Sequence, residues 1–306
     1  MKNYSPEGFT KETSEGKRNT FTKAQLLQAM ASGEILEGLA YMCDSEHNLL
    51  VNLGSMRGII PRFEGALGIS HGTTRDIALI SRVGKPVCFV VDDIKTDPLG
   101  NQYAILSRRV AQERCKNEFL STLIPGDIIP AKVTHLENFG AFCDVGCGNI
   151  ALLPIDSISV SRISHPKDRF SVGDEIRVIV KSIDEQGRMT LSHKELLGTW
   201  QENADTILQG ETVSGVVRSI ENYGIFVELT PNLAGLAELR EGVKVGQTAS
   251  VYIKSIISDK MKVKLIIIDS FDSEYTSPIK YFYDGDHIDS FIYSPLNSGK
   301  IIETKF

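Results

Sequence analysis

The residues of this chain best suited to chemistry are aromatic pairs set beside cations. Phe139 and Phe142 lie in Asn138-Phe-Gly-Ala-Phe-Cys-Asp-Val145, and Tyr223 and Phe226 lie in Asn222-Tyr-Gly-Ile-Phe-Val-Glu-Leu229. Downstream of the first pair stand Arg177 and Lys181; downstream of the second stand Tyr252, Lys254, Lys262 and Lys264. Rings that stack on bases, at about 1–3 kcal/mol each, beside cations that track phosphates are what single-strand binding requires. Catalytic and metal chemistry find less support. Cys143 and Cys147 have no second Cys/His pair at a structural-zinc spacing. Gly65-Ala-Leu-Gly68 lacks the Lys and Ser/Thr of a phosphate-binding loop. His165-Pro-Lys-Asp-Arg169 reads as a solvated, charged loop. No nucleophile–base or paired-carboxylate arrangement follows from spacing, so no enzyme activity, metal or cofactor is expected.

The elements that must hold these residues repeat along the chain. Gly126-Asp127 answers Gly210-Glu211, Val172-Gly-Asp174 answers Val245-Gly-Gln247, and Val178-Ile-Val-Lys-Ser-Ile183 answers Val251-Tyr-Ile-Lys-Ser-Ile256. A fainter copy keeps the same order upstream in Glu37-Gly38, His47–Gly54, Arg57-Gly-Ile-Ile-Pro61, Val83-Gly84 and Ile105-Leu-Ser-Arg108. In each copy five short runs alternate apolar and polar residues between turn signals, which predicts five strands. Five strands in about 75 residues, broken after the third, fit a small closed barrel of the OB type. The fold class is therefore all-β, with three tandem barrels joined by short helical linkers at Arg109–Leu123 and Lys194–Gln209. The divisions are 1–20, a disordered tail; 21–115, 116–198 and 199–270, the barrels; and 271–306, an extension with a possible hairpin about Asp284-Gly285.

Side chains alternate across a strand, so parity separates core from surface. Ala141, Cys143 and Val145 share one face, as do Ile225, Val227 and Leu229. Those apolar sets must be core, which puts Phe142 beside Asp144, and Phe226 beside Glu228, on the outer face. Gly140 and Gly224 can take bulge geometry and bring both aromatics of a pair to one side. Arg177 and Lys181, Tyr252 and Lys254, and Lys262 and Lys264 also read as outward. Outward aromatics can equally pack beneath a loop or a neighbouring domain, and outward lysines can be plain solvation. Recurrence of the whole set in two units favours function.

Composition bounds the rest. The net charge of −6 over 306 residues argues against indiscriminate coating of nucleic acid, so binding must come from a local face. Five cysteines at irregular spacing do not form a disulfide framework, and the polar N-terminus has no signal-type apolar run. No apolar run approaches the roughly 20 residues that span a bilayer. A cytoplasmic protein without membrane contact is expected.

Units two and three resemble the S1-type RNA-binding domain, and their tandem layout resembles the ribosomal protein S1 family. The resemblance is carried by Asn138-Phe-Gly-Ala-Phe142, Asn222-Tyr-Gly-Ile-Phe226, Gly235-Leu236 and Gly187-Arg-Met-Thr-Leu-Ser-His-Lys-Glu195. It implies an RNA surface made of the aromatic pair, a histidine after the third strand, and an Asp and an Arg about the last hairpin. Unit two matches at Phe139, Phe142, Asp184 and Arg188, with Pro154 in the histidine's place. Unit three matches at Tyr223 and Phe226, with Glu238 in that place and Ser258-Asp-Lys260 as its turn. In unit one Leu50 takes the exposed aromatic's place and Asp92 stands where Lys181 and Lys254 stand. The expected function is binding of single-stranded RNA, mRNA in particular, in translation on the small ribosomal subunit. Residues 21–115 would dock on small-subunit proteins. The alternative is a scaffold that docks on ribosome or RNA polymerase without touching RNA; a nuclease would need a catalytic cluster.

Overall fold

Alternating strands can bury their apolar faces only by closing on themselves or on one another. A computed structural model describes residues 4–9, 20–273 and 275–306. The first barrel comprises β1 (Leu36–Cys43), β2 (Leu49–Asn52), β3 (Arg57–Ile60), β4 (Lys85–Thr96) and β5 (Gln102–Ser107). A helix, α1 (Lys23–Ser32), precedes it, and a single turn, α2 (Ile77–Ile80), lies between β3 and β4. After α3 (Arg108–Glu118) come β6 (Ile128–Glu137), β7 (Gly140–Asp144), β8 (Ile150–Pro154), β9 (Glu175–Ile183) and β10 (Met189–Ser192). After α4 (Trp200–Ala204) come β11 (Thr212–Glu221), β12 (Gly224–Thr230), β13 (Leu233–Ala237), β14 (Thr248–Ile257) and β15 (Lys262–Phe271). Each set of five is a closed barrel, with the third and fifth strands of the set paired in parallel. The parity reading of the cores holds. Ala141, Cys143, Ile225, Val227, Val178, Val180, Val251 and Ile253 are all fully buried.

The chain forms two compact units, residues 1–123 with 144–150, and residues 124–143 with 151–306. In the first, Leu49, Val51, Phe89 and Leu106 fill the barrel. Residues 4–9, expected as disordered tail, are instead placed here, because Glu7 forms a buried pair with Arg108 (Nε–Oε1 2.6 Å). The rest of that expectation, residues 1–3 and 10–19, lies outside the described residues. The Glu7 N–H also donates to Asp144 (2.8 Å) in the 144–150 segment.

The second unit holds barrels two and three and the C-terminal extension. Thr199 and Glu202 cap α4 reciprocally, and the chain's one tryptophan, Trp200, enters the barrel-three core. A hairpin does occur in the extension, but it pairs β16 (Ser290–Ile292) with β17 (Glu303–Lys305). It does not turn at Asp284-Gly285. The aromatic run is spent elsewhere: Tyr281, Tyr283 and Ile288 pack on Ile128, Ile179 and Leu196 over the outside of barrel two.

Candidate nucleic-acid interface

The aromatic pairs are assembled by backbone that tolerates only glycine between them. A Cβ at Gly140 would lie 2.5 Å from the Leu153 carbonyl oxygen, and one at Gly224 would lie 2.5 Å from that of Ala237. The second strand therefore presses directly on the third. The expected bulge at these glycines is absent in barrel three, where Gly224 pairs regularly with Glu221 and the bulge falls at Arg218. Phe139 and Phe142 meet edge to face at 6.0 Å between ring centroids, and Tyr223 and Phe226 do the same at 6.1 Å. Such contacts fix the mutual orientation of the rings. Phe139 is 56% exposed and Tyr223 65%, while Phe142 and Phe226 are half-buried.

The cations reach this surface by a shared irregularity. Between β9 and β10 the register slips so that Lys181 is left unpaired between Val180 and Ser182. Lys254 is skipped in the same way between Ile253 and Ser255. The extra residue of a bulge turns outward, which brings each lysine to the outer face. Lys181 donates to Ser157 Oγ at 3.0 Å, and Lys254 lies 3.9 Å from Glu238. Glu238, 93% exposed by its side chain, is thus partly neutralised by the lysine beside it. Across barrel three, Phe226, Leu236 and Lys264 form one lateral row, with exposed Lys262 two residues along. Tyr252 pairs with Ile266, so it sits two residues, about 7 Å, away from that row. In barrel two Arg188 binds Asp184 (2.6 Å) and Gln186 (2.9 Å), and its side chain remains 78% exposed. The Arg188 backbone N–H, then its guanidinium, hold Asp184 below the usual carboxylate range.

Three readings from parity need correction. Arg177 is not a free cation: its guanidinium donates to the carbonyls of Tyr283 (2.6 Å) and Gly285 (2.7 Å), and its backbone N–H donates to Tyr281 Oη (3.1 Å). The extension covers that part of β9, which no local pattern reveals. Asp144 and Glu228 are not solvent neighbours of the phenylalanines; both are buried. Asp144 accepts backbone N–H groups from Glu7, Gly146 and Gly148, and burial, then the Glu7 carboxylate, push it up to about 7. Glu228 is gripped by Arg169 (2.5 Å) and Arg218 (2.8 Å), so Arg169 is not in a solvated loop. His135, absent from the sequence reading, supplies barrel two with a third ring. It stacks on Phe142 at 6.3 Å and 27°, is 63% exposed by its side chain, and contacts Glu137 at 2.8 Å. Parity alone groups His135 with the buried Ala131 and Val133; in the repeat, Ser219 at the corresponding place pairs with Phe226 only after the bulge at Arg218.

Barrel one lacks this surface. Leu50 faces Ile59 as Phe226 faces Leu236, and Asp92 occupies the bulge held elsewhere by lysine. A model of the S1 RNA-binding domain family matches residues 122–194. The middle barrel is an S1 domain. Beyond it, the chain is similar to small ribosomal subunit protein bS1 of Leuconostoc lactis, 34% identical over 61% of this chain and 44% of that protein. It is also similar to bS1 of Staphylococcus aureus strain COL, 30% identical over 74% of this chain and 59% of that protein. The chain thus spans about half the length of these curated relatives. Among solved structures, GSP13 of Bacillus subtilis aligns with 23% of this chain and 55% of its own, at 30% identity and a TM-score of 0.22. Among the described residues no helix is long and apolar enough to cross a membrane.

Proposed function

We propose that this chain binds single-stranded RNA, mRNA in particular, as an S1-type protein of translation working at the small ribosomal subunit in the cytoplasm. The observation that carries this reading is the glycine-floored, edge-to-face aromatic pair, repeated on two barrels with a bulge-borne lysine near each. Barrel two is the principal grip, with bases on Phe139, Phe142 and His135 and phosphates on Lys181 and Arg188. Asp184 orients Arg188 and does not itself meet phosphate. Barrel three is the lesser grip, through Tyr223, Phe226, Lys254, Lys262 and Lys264, with Glu238 opposing phosphate and Tyr252 at the margin. Arg177 has no part in it. Barrel one, residues 21–115, docks on small-subunit proteins. No catalytic step is needed for any of this. Fluorescence anisotropy of a labelled single-stranded RNA with the full chain tests the reading. Binding that weakens with salt and with loss of the rings supports it; salt-insensitive, ring-independent binding overturns it.

A further inference from the structure

In barrels two and three, one corner of the outer face already holds a stretch of polypeptide. It is the outer end of the second strand. In barrel three this corner is Glu228, which takes Arg169, while Ser161 donates to the Pro231 carbonyl and Val160 to Asn232. In barrel two it is Asp144, which takes the Glu7 N–H, while Cys147 donates to the Ser5 carbonyl. Register places Asn52 at the same point of barrel one, since Asn52 follows the Leu50–Ile59 pair as Glu228 follows the Phe226–Leu236 pair. Tyr41 occupies the bulge that Arg218 occupies in barrel three.

The charge at this corner is reversed in barrel one. Glu228 stands opposite neutral Ala234, whereas neutral Asn52 stands opposite Arg57. Arg57 lies over the Tyr103 ring, 5.5 Å from its centroid, and its side chain is 53% exposed. Tyr41, Asn52, Gly54, Met56 and Arg57 line an open cavity of about 450 Å³. Exposed Leu39 and Met42 flank it on β1. Tyr, Arg and Met are the side chains enriched at protein–protein contacts. Among the described residues, the ion-pair partner of Arg57 is the distant Asp97, at 4.0 Å, and that carboxylate already accepts the Leu99 and Asn101 N–H groups. Asp92 and Asp93 lie exposed on β4, two strands from Arg57, where Lys95 stands in the Arg57–Tyr103 row and pairs with Asp93 at 3.9 Å. The corresponding corners of barrels two and three take polypeptide, and one carboxylate carried on a peptide needs only Arg57.

We propose that this corner of barrel one is a docking site for an acidic polypeptide segment of a small-subunit protein. A partner carboxylate pairs with the Arg57 guanidinium, and an adjoining side chain rests on Tyr41 and Met56. The site mirrors the corner of barrel three with the charges exchanged. This rests on reading barrel one as the docking barrel and gives that reading a surface and a partner chemistry.

The test uses the full chain and purified small ribosomal subunits, with co-sedimentation as the readout and oligo(U) anisotropy run in parallel. Arg57→Glu should weaken subunit binding at least about tenfold, Arg57→Lys should lie between it and wild type, and oligo(U) affinity should not move. A benzoylphenylalanine crosslinker at position 41 should label an Asp/Glu-rich segment of a subunit protein. Wild-type binding by Arg57→Glu overturns the corner while leaving subunit docking intact. No binding by the wild type overturns both the corner and the docking reading. Crosslinks to ribosomal RNA, or to a second copy of this chain, overturn the proposed occupant.

Discussion

Replacing Phe139 and Phe142 together by alanine removes the two stacking rings of barrel two. Base–aromatic stacking contributes about 1–3 kcal/mol per base. The lower half of that range applies, because each ring already contacts the other and Phe142 also contacts His135 in the free protein. The expected loss for the two rings is therefore about 2–4 kcal/mol, and since about 1.4 kcal/mol is tenfold, affinity should fall roughly 30- to 700-fold. Phe139 is 56% exposed, so its own contribution to folding is small. The half-buried Phe142 can be checked separately by thermal denaturation. Anisotropy of a labelled oligo(U) at two salt concentrations reads the result. The salt slope should be unchanged by the double substitution, because Lys181 and Arg188 remain and each neutralised phosphate adds about −0.7 to the slope on a single strand. A loss of affinity below about threefold would refute stacking as the mechanism. The equivalent change at Tyr223 and Phe226 should cost less, since Glu238 limits how closely phosphate approaches there.

Arg177→Ala should leave oligo(U) affinity within about twofold but loosen the extension, because charge-assisted hydrogen bonds of the kind it makes to Tyr283 and Gly285 contribute about 1.5–3 kcal/mol each; hydrogen exchange in residues 281–288 should rise. Glu228→Gln removes the carboxylate that pairs with the buried Arg169, while Arg218 keeps Asp168 at 3.6 Å, and should destabilise by about 3–5 kcal/mol, read by Trp200 fluorescence in urea. His193 gives a pH signature. Burial lowers its pKa from 6.5 to about 4, so the neutral ring that accepts the Tyr281 hydroxyl proton belongs to the folded state. Its stability contribution is complete above pH 6.5 and is lost as pH falls toward 4, by about 3 kcal/mol. Urea midpoints between pH 7 and 4.5 should fall more steeply for the wild type than for His193→Gln; parallel curves would count against the assignment.

The barrels were legible because apolar alternation must place Ala141, Cys143 and Val145 on one face and Phe142 on the other, whatever surrounds them. The bulge-borne lysines were legible because Lys181 and Lys254 recur at one point of the repeat. Arg177 shows the limit of that logic. Parity says only that it leaves the core, and outward residues still meet whatever packs on the barrel next. Here the extension packs on it, from more than a hundred residues away. Asp144 and Glu228 were misplaced for the same reason, since an outward carboxylate becomes a buried one when another segment brings an arginine or a row of N–H groups to it.

The sequence by itself determined the three barrels, the rings of two of them and the absence of rings in the first. These follow from a period of two and from repetition, both local properties of the chain. Only the tertiary structure decided which outward groups stay in water. That choice depends on contacts between residues far apart in sequence, where the desolvation cost of a charge is offset only if a distant partner arrives. His135 gains a stacking partner by this route, and Arg177 is withdrawn from the site.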